Sequence, residues 1–133
     1  MSSVFTKIIN GEIPCYKIAE DNRYFAFLDI NPLVKGHTLV IPKVEVDYIF
    51  DLDDQTLEGL LVFSKKIAKA IEQVIPCKRT GIAVLGLEVP HAHIHIVPIN
   101  GAFDIDFSRP KLKLSPEEFT YIAEKIREAY SNL

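Results

Sequence analysis

The chain has 133 residues, 48% apolar and 25% charged, a globular mixture able to bury one core, and its 15 basic and 18 acidic residues leave a formal net charge of −3. That acidic balance, with no basic run, excludes the electrostatic footprint of a protein that grips long nucleic acid. No apolar stretch approaches the ~20 residues of a membrane-spanning helix, and the opening MSSVFTKIINGEIP has no apolar run of the signal-peptide kind, so the cytoplasm is the expected compartment.

In chain order, residues 4–9 (VFTKII) predict a short helix that stops at Gly11 and Pro14. Lys17–Glu20 and Arg23–Leu28 predict two strands joined by the turn Glu20-Asp21-Asn22, a hairpin. Asp29 to Pro32 is a turn, since Pro32 pushes Asn31 out of helical space. Gly36 and His37 then open a third strand, Thr38–Ile41, ended by Pro42. A long helix begins with Asp53 or Asp54 as its cap. Its apolar residues, Leu57, Leu60, Leu61, Ile67, Ala68, Ile71 and Val74, recur at helical spacing, and Pro76 follows its end. Thr80–Leu85 predicts a fourth strand, and the segment Pro90–Pro98 contains a fifth.

Residues 99–114 are expected as irregular loop. A last helix starts at Ser115, with Pro116 in the first helical position and Glu118 completing a capping box. This order predicts an α+β fold, an antiparallel sheet of about five strands with helices packed on one face. One domain is expected over residues 1–133, with a core at 4–98 and a C-terminal loop and helix at 99–133. Cys15 and Cys77, far apart and in no CxxC, are expected as free thiols.

The segment PHAHIHIVP over residues 90–98 carries three of the four histidines. On a strand, side chains alternate faces, so His91, His93 and His95 would share one face at ~6.6 Å intervals, with Ala92, Ile94 and Ile96 on the apolar other. Three groups that titrate near neutrality repel one another when charged, so such a row costs stability unless it has work to do. Imidazole is the commonest metal ligand, and HxH on a strand can hold one ion. The outer two histidines of a straight row, however, stand ~13 Å apart, awkward for one tetrahedral ion. The other reading is nucleophilic and acid–base work on a phosphate. A neutral imidazole attacks phosphorus well, and its neighbours hold phosphate oxygens. The middle histidine, His93, has helpers on both sides.

HAHIHIV over 91–97 resembles the motif of the histidine-triad (HIT) family, His-x-His-x-His followed by apolar residues. FTKIINGEIP at 5–14, AFLDINP at 26–32 and GHTLVIPK at 36–43 resemble the family's N-terminal segments, in the family's order. The resemblance covers about residues 4–98. It implies a nucleotide hydrolase or transferase that is a homodimer, its central strands joined into one sheet across the two subunits. It implies no cofactor.

It implies further that His93 attacks the α-phosphate of a purine nucleotide derivative and that His95 contacts that phosphate. His91 would orient the nucleophile and His37 lie by the phosphates. Asp29 corresponds to the acid that accepts hydrogen bonds from the ribose hydroxyls, a role for which a carboxylate's two acceptor oxygens are suited. Phe5, Ile8, Phe27 and Ile30 correspond to apolar positions around the base.

Two departures carry consequences. Many relatives begin with a CxxC that helps bind a structural zinc, and often have histidine two residues after the Pro-Lys. Here the N-terminus is Ser2-Ser3-Val4-Phe5 and the second position is Glu45, so no structural zinc is expected. The usual Gly-rich approach to the triad ends in Gly-Gln-Ser/Thr; here it is Gly86-Leu87-Glu88-Val89-Pro90, with Glu88 in place of the hydroxyl residue. A carboxylate beside a phosphate is repulsive unless protonated or paired, so Glu88 would either face a cationic leaving group such as a lysyl amine or point away. The resulting expectation is a small-molecule nucleotide substrate of the phosphoramidate or acyl adenylate type. A dinucleoside polyphosphate hydrolase, or a nucleotide-binding interaction module with little turnover, is the alternative.

Overall fold

The computed structural model describes residues 2–133; Met1 lies outside them. The elements are α1 (Val4–Ile9), β1 (Lys17–Glu20), β2 (Tyr24–Leu28), β3 (Thr38–Pro42), α2 (Asp54–Val74), β4 (Arg79–Ala83), β5 (Ile94–Ile99) and α3 (Pro116–Ser131), with single turns of 3-10 helix at Ile49–Asp51 and Ala102–Ile105. The local signals act where the sequence puts them. Asp53 caps α2 by accepting from the Thr56 N–H at 2.7 Å. Ser115 and Glu118 form both halves of the capping box of α3. Asp21 makes the β1–β2 turn by accepting from the N–H groups of Arg23 and Tyr24, both at 2.8 Å.

The strands form one antiparallel sheet in the order β1-β2-β3-β5-β4. Strand alternation sorts its residues into two layers. Tyr24, Ala26, Leu28, Val40, Ile94 and Ile96 join the main core with α2 and α3. Phe25, Phe27, Leu39 and Ile41 face the other way and join Phe5 of α1 in a second, smaller cluster. The two long helices therefore share one face, as expected, while the short α1 covers part of the other. That is why all five residues of β2 and of β3 are buried.

The histidine segment departs from the expected strand. β5 starts at Ile94, so His91 and His93 precede it and the straight row at regular spacing does not form. The reason lies in β3. The register pairs Val40 with Ile94, and Pro42, two residues on, has no N–H with which to continue the ladder. The chain turns instead: the His91 N–H bonds to Val89 O at 2.8 Å and the Ala92 N–H to Val46 O at 2.7 Å. Ala92, Ile94 and Ile96 still point into the main core, as alternation predicted. Among the described residues no helix is long and apolar enough to cross a membrane.

Candidate active site

A cavity of about 460 Å³ opens on the α1 face of the sheet. Nine of the ten residues singled out in the sequence line it: Phe5, Ile8, Phe27, Asp29, Ile30, His37, Glu88, His93 and His95. His91 does not. Its ring is wholly buried behind the cavity wall. The lining residues arrive from several elements. α1 brings Phe5 and Ile8, the end of β2 brings Phe27 and the turn after it Asp29, β3 is preceded by His37, and β5 carries His95. Gly36, at φ +91°, makes the turn that delivers His37; a Cβ there would lie 2.9 Å from Ile75 Cγ1. Gly86, at φ +70°, turns the loop that carries Glu88.

Hydrogen-bond partners fix the protonation of every ring, because a partner that only accepts or only donates leaves one assignment. His93 Nδ1 lies 2.7 Å from the His91 backbone carbonyl, an acceptor, so Nδ1 carries the proton and Nε2 keeps its lone pair. His91 Nε2 lies 2.8 Å from the Pro42 carbonyl, so His91 Nδ1 is the acceptor for the Ser3 hydroxyl, also at 2.8 Å. The Leu33 N–H donates to His37 Nδ1 at 2.9 Å, which puts the His37 proton on Nε2. His37 Nε2 then donates to His95 Nδ1 at 3.0 Å, and the His95 proton must sit on Nε2. The result is an Nε2 lone pair on His93 beside an Nε2–H donor on His95, on rings whose centroids are 5.0 Å apart.

Burial holds all four imidazoles neutral. Desolvation pushes His37 down to about 3 and His95 down to about 4, aided for His37 by the neighbouring His95 and for His95 by His93. His91 and His93 are lowered by the same cause. Desolvation raises Asp29, against the Asn31 N–H bond that lowers it. Asp29 Oδ1 takes that N–H at 2.8 Å, while Oδ2 lies 3.5 Å from His37 Nε2. With His37 neutral this is a polar contact rather than an ion pair.

Asp29, His37 and His95 present potential ligand atoms within 4.8 Å of one another. The Leu33 N–H rules against a cation there: it occupies His37 Nδ1 and leaves a proton, not a lone pair, on the nitrogen facing the group.

The HIT domain family model matches residues 10–101. The chain belongs to the HIT family. It is 40% identical to an uncharacterised HIT-like protein of Borreliella burgdorferi, over 92% of this chain and 94% of that one. It is 39% identical to the adenosine 5'-monophosphoramidase hnt1 of Schizosaccharomyces pombe, over 95% and 96%. The crystal structure of a zinc-bound histidine triad family protein from Mycobacterium smegmatis superposes with a TM-score of 0.83, at 29% identity, over 99% of this chain and 95% of that one.

Among the described residues of this HIT protein, the side chains gathered around His91 do not make a donor set for a structural zinc. Ser3 and Thr6, at CxxC spacing, gather with Glu45 around His91, but hydroxyls are not the thiolate or imidazole ligands such sites use. Both His91 nitrogens are already spent on Ser3 and Pro42. The spacing Ser3-x-x-Thr6 was the signal in the sequence for this cluster; reading only for cysteine missed it.

The segment read as irregular loop also contributes to the site. Phe107 packs edge-on against His95 at 4.8 Å and His37 at 6.1 Å between centroids. Lys111 is the only lysine or arginine lining the cavity among the described residues. Its Nζ is held by the carbonyls of Phe107 and Arg109 at 2.8 and 3.0 Å. The Leu112 N–H bonds to Pro32 O at 2.8 Å and straps the segment across the cavity. Nothing in the local sequence marks Phe107, because the rings it packs on, His37 and His95, come from other parts of the chain.

Proposed function

We propose that this HIT protein hydrolyses purine nucleoside phosphoramidates, with acyl adenylates as the related class, through a covalent nucleotidyl-His93. The observation that carries the reading is the His93 tautomer: its Nδ1–H is committed to the His91 carbonyl, and its Nε2 lone pair is free beside the His95 Nε2–H. A neutral, oriented imidazole is the nucleophile this chemistry needs. His93 Nε2 forms a bond to the α-phosphorus while the bond from phosphorus to the leaving nitrogen breaks, that nitrogen keeping the electron pair, taking up a proton from solvent and departing as an amine. His95 Nε2–H donates to a phosphate oxygen as charge builds. Water then adds to phosphorus, the bond to Nε2 breaks, and the nucleoside monophosphate is released with a proton.

The remaining assignments follow the cavity's chemistry. Asp29 Oδ2 accepts from the ribose hydroxyls, and Phe5, Ile8, Phe27 and Ile30 enclose the base. Glu88 faces the leaving group, where a carboxylate favours a cationic amine over a second polyphosphate. The phosphoramidase name of the fission-yeast relative supports the same class. We infer a homodimer as well, because β4 ends the sheet with an unpaired edge and its Ile82 is half exposed. Size-exclusion chromatography with light scattering tests that assembly.

The function is tested by incubating the protein with an adenosine phosphoramidate, quenching early and seeking an adenylylated peptide that contains His93. Turnover should be lost in His93→Ala. Retained turnover in that variant sinks the nucleophile. AMP binding without turnover of any phosphoramidate would point to the interaction module instead.

A further inference from the structure

Behind the cavity, four side chains form a cluster that the proposed chemistry does not use. Glu45 Oε1 accepts from the Ser3 N–H at 2.7 Å and from the Thr6 hydroxyl at 2.6 Å. The Ser3 hydroxyl accepts from the Thr6 N–H at 3.0 Å, capping α1, and donates to His91 Nδ1 at 2.8 Å. The far side of the His91 ring donates to the Pro42 carbonyl, and the His91 backbone carbonyl takes the His93 Nδ1–H. Hydrogen bonds joined through the covalent frames of Ser3 and His91 thus link Glu45, on the surface after β3, to the ring proton of His93. None of Ser3, Thr6, Glu45 and His91 touches the cavity. No regular strand holds His91 and His93, so something else must.

We propose that Glu45 is a positioning residue for His93: it clamps Ser3, Ser3 fixes the His91 ring, and the fixed His91 carbonyl keeps His93 in the tautomer whose Nε2 lone pair faces the cavity. The inference rests on His93 being the nucleophile. A rigid support behind a reacting group matters because small misplacements are costly in rate even when binding is intact. The chain needs an acceptor oxygen at Glu45 Oε1, not a charge, since both of its partners are neutral donors. Hydrogen bonds alone hold this cluster together. It ties the start of α1 to the loop that presents the nucleophile.

Glu45 is exposed and its replacement leaves both cores untouched, so the variants should fold. With an adenosine phosphoramidate as substrate, Glu45→Ala should lower kcat roughly tenfold or more while KM moves by less than about threefold, the pattern of a misplaced nucleophile. Glu45→Gln keeps the acceptor oxygen and should restore most of kcat. Ser3→Ala should resemble Glu45→Ala, and the double variant should be no worse than Ser3→Ala alone, because both break the same chain. The ¹⁵N shifts of the His93 ring should report one tautomer in the parent protein and a mixture in Glu45→Ala. That readout needs no turnover, so it decides the inference even if the substrate assignment fails. A Glu45→Ala protein with parental kcat and an unchanged His93 tautomer overturns it. So does a Glu45→Gln protein as impaired as Glu45→Ala, which would mean that charge, not the hydrogen-bonded clamp, is what Glu45 supplies.

Discussion

His37 Nε2 stands 3.0 Å from His95 Nδ1, and this contact makes His95 a one-way donor toward the cavity. The direction is set from outside: the Leu33 N–H occupies the other His37 nitrogen, so the relay cannot reverse without breaking a buried backbone hydrogen bond. Replacing His37 by leucine removes the donor. His95 Nδ1 is then left without a partner, or the ring takes the opposite tautomer and turns an Nε2 lone pair toward the proposed phosphate position. By comparison with the loss of one transition-state hydrogen-bond donor, kcat/KM should fall ~100-fold. His37→Gln, whose amide can donate to His95, should recover part of that loss. Steady-state kinetics of the two variants check this, and a His37→Leu enzyme of parental activity refutes the relay.

The same burial makes stability depend on pH with a definite sign. His37 and His95 titrate at about 3 and about 4 in the fold, against an ordinary 6.5. Between those values the unfolded chain binds protons that the folded chain refuses, so stability rises with pH. It is complete above 6.5 and is lost as pH falls toward 4 and then 3. Each of the two rings contributes a slope of ~1.4 kcal/mol per pH unit in that window. From pH 7 to pH 5 the pair should cost on the order of 4 kcal/mol. His91 and His93, also lowered, act in the same direction. Asp29 acts in the opposite one, because its raised carboxyl holds a proton in the fold above 3.8. Urea titrations at pH 7, 6 and 5 measure the balance, and a stability unchanged between 7 and 5 contradicts it.

Local signals marked most elements of this fold. The Asp53 cap, the Ser115–Glu118 box and the Asp21 turn are read from neighbouring residues and act only on neighbours. Alternation correctly sent Ala92, Ile94 and Ile96 inward. It failed at His91, because the end of the β3–β5 ladder is set by Pro42, 49 residues away, whose carbonyl receives the His91 ring. Asp29, His37, His93 and His95 were legible as residues, but their protonation was not. For the histidines it depends on the Leu33 N–H and the His91 carbonyl, backbone groups that carry no mark of function in the sequence. The strap at 102–112 was hidden for the same reason, its anchor being the Pro32 carbonyl. Phe5 and Phe27, by contrast, were visible as part of short apolar runs, yet only the sheet's second covered face assigns them to the cavity.

The strap brings a cation to a cavity whose other titratable walls are neutral imidazoles, carboxylates and the Cys15 thiol. Lys111 uses two of its three ammonium hydrogens on the Phe107 and Arg109 carbonyls, which hold the charge near Asp29 and His37. An anionic phosphate entering the cavity gains from that charge, while the chemistry proposed for His93 does not depend on it. Lys111→Met should therefore raise KM for a nucleoside phosphoramidate roughly two- to fivefold, the scale of an exposed ion pair, with little change in kcat. The difference between parent and variant should shrink in 1 M salt, where charges are screened within ~3 Å. Phe107→Ala separates the two parts of the strap. It removes the ring against His95 and should lower kcat without the salt dependence. Equal KM values for Lys111→Met and the parent at low salt would show that the ammonium group meets no part of the substrate.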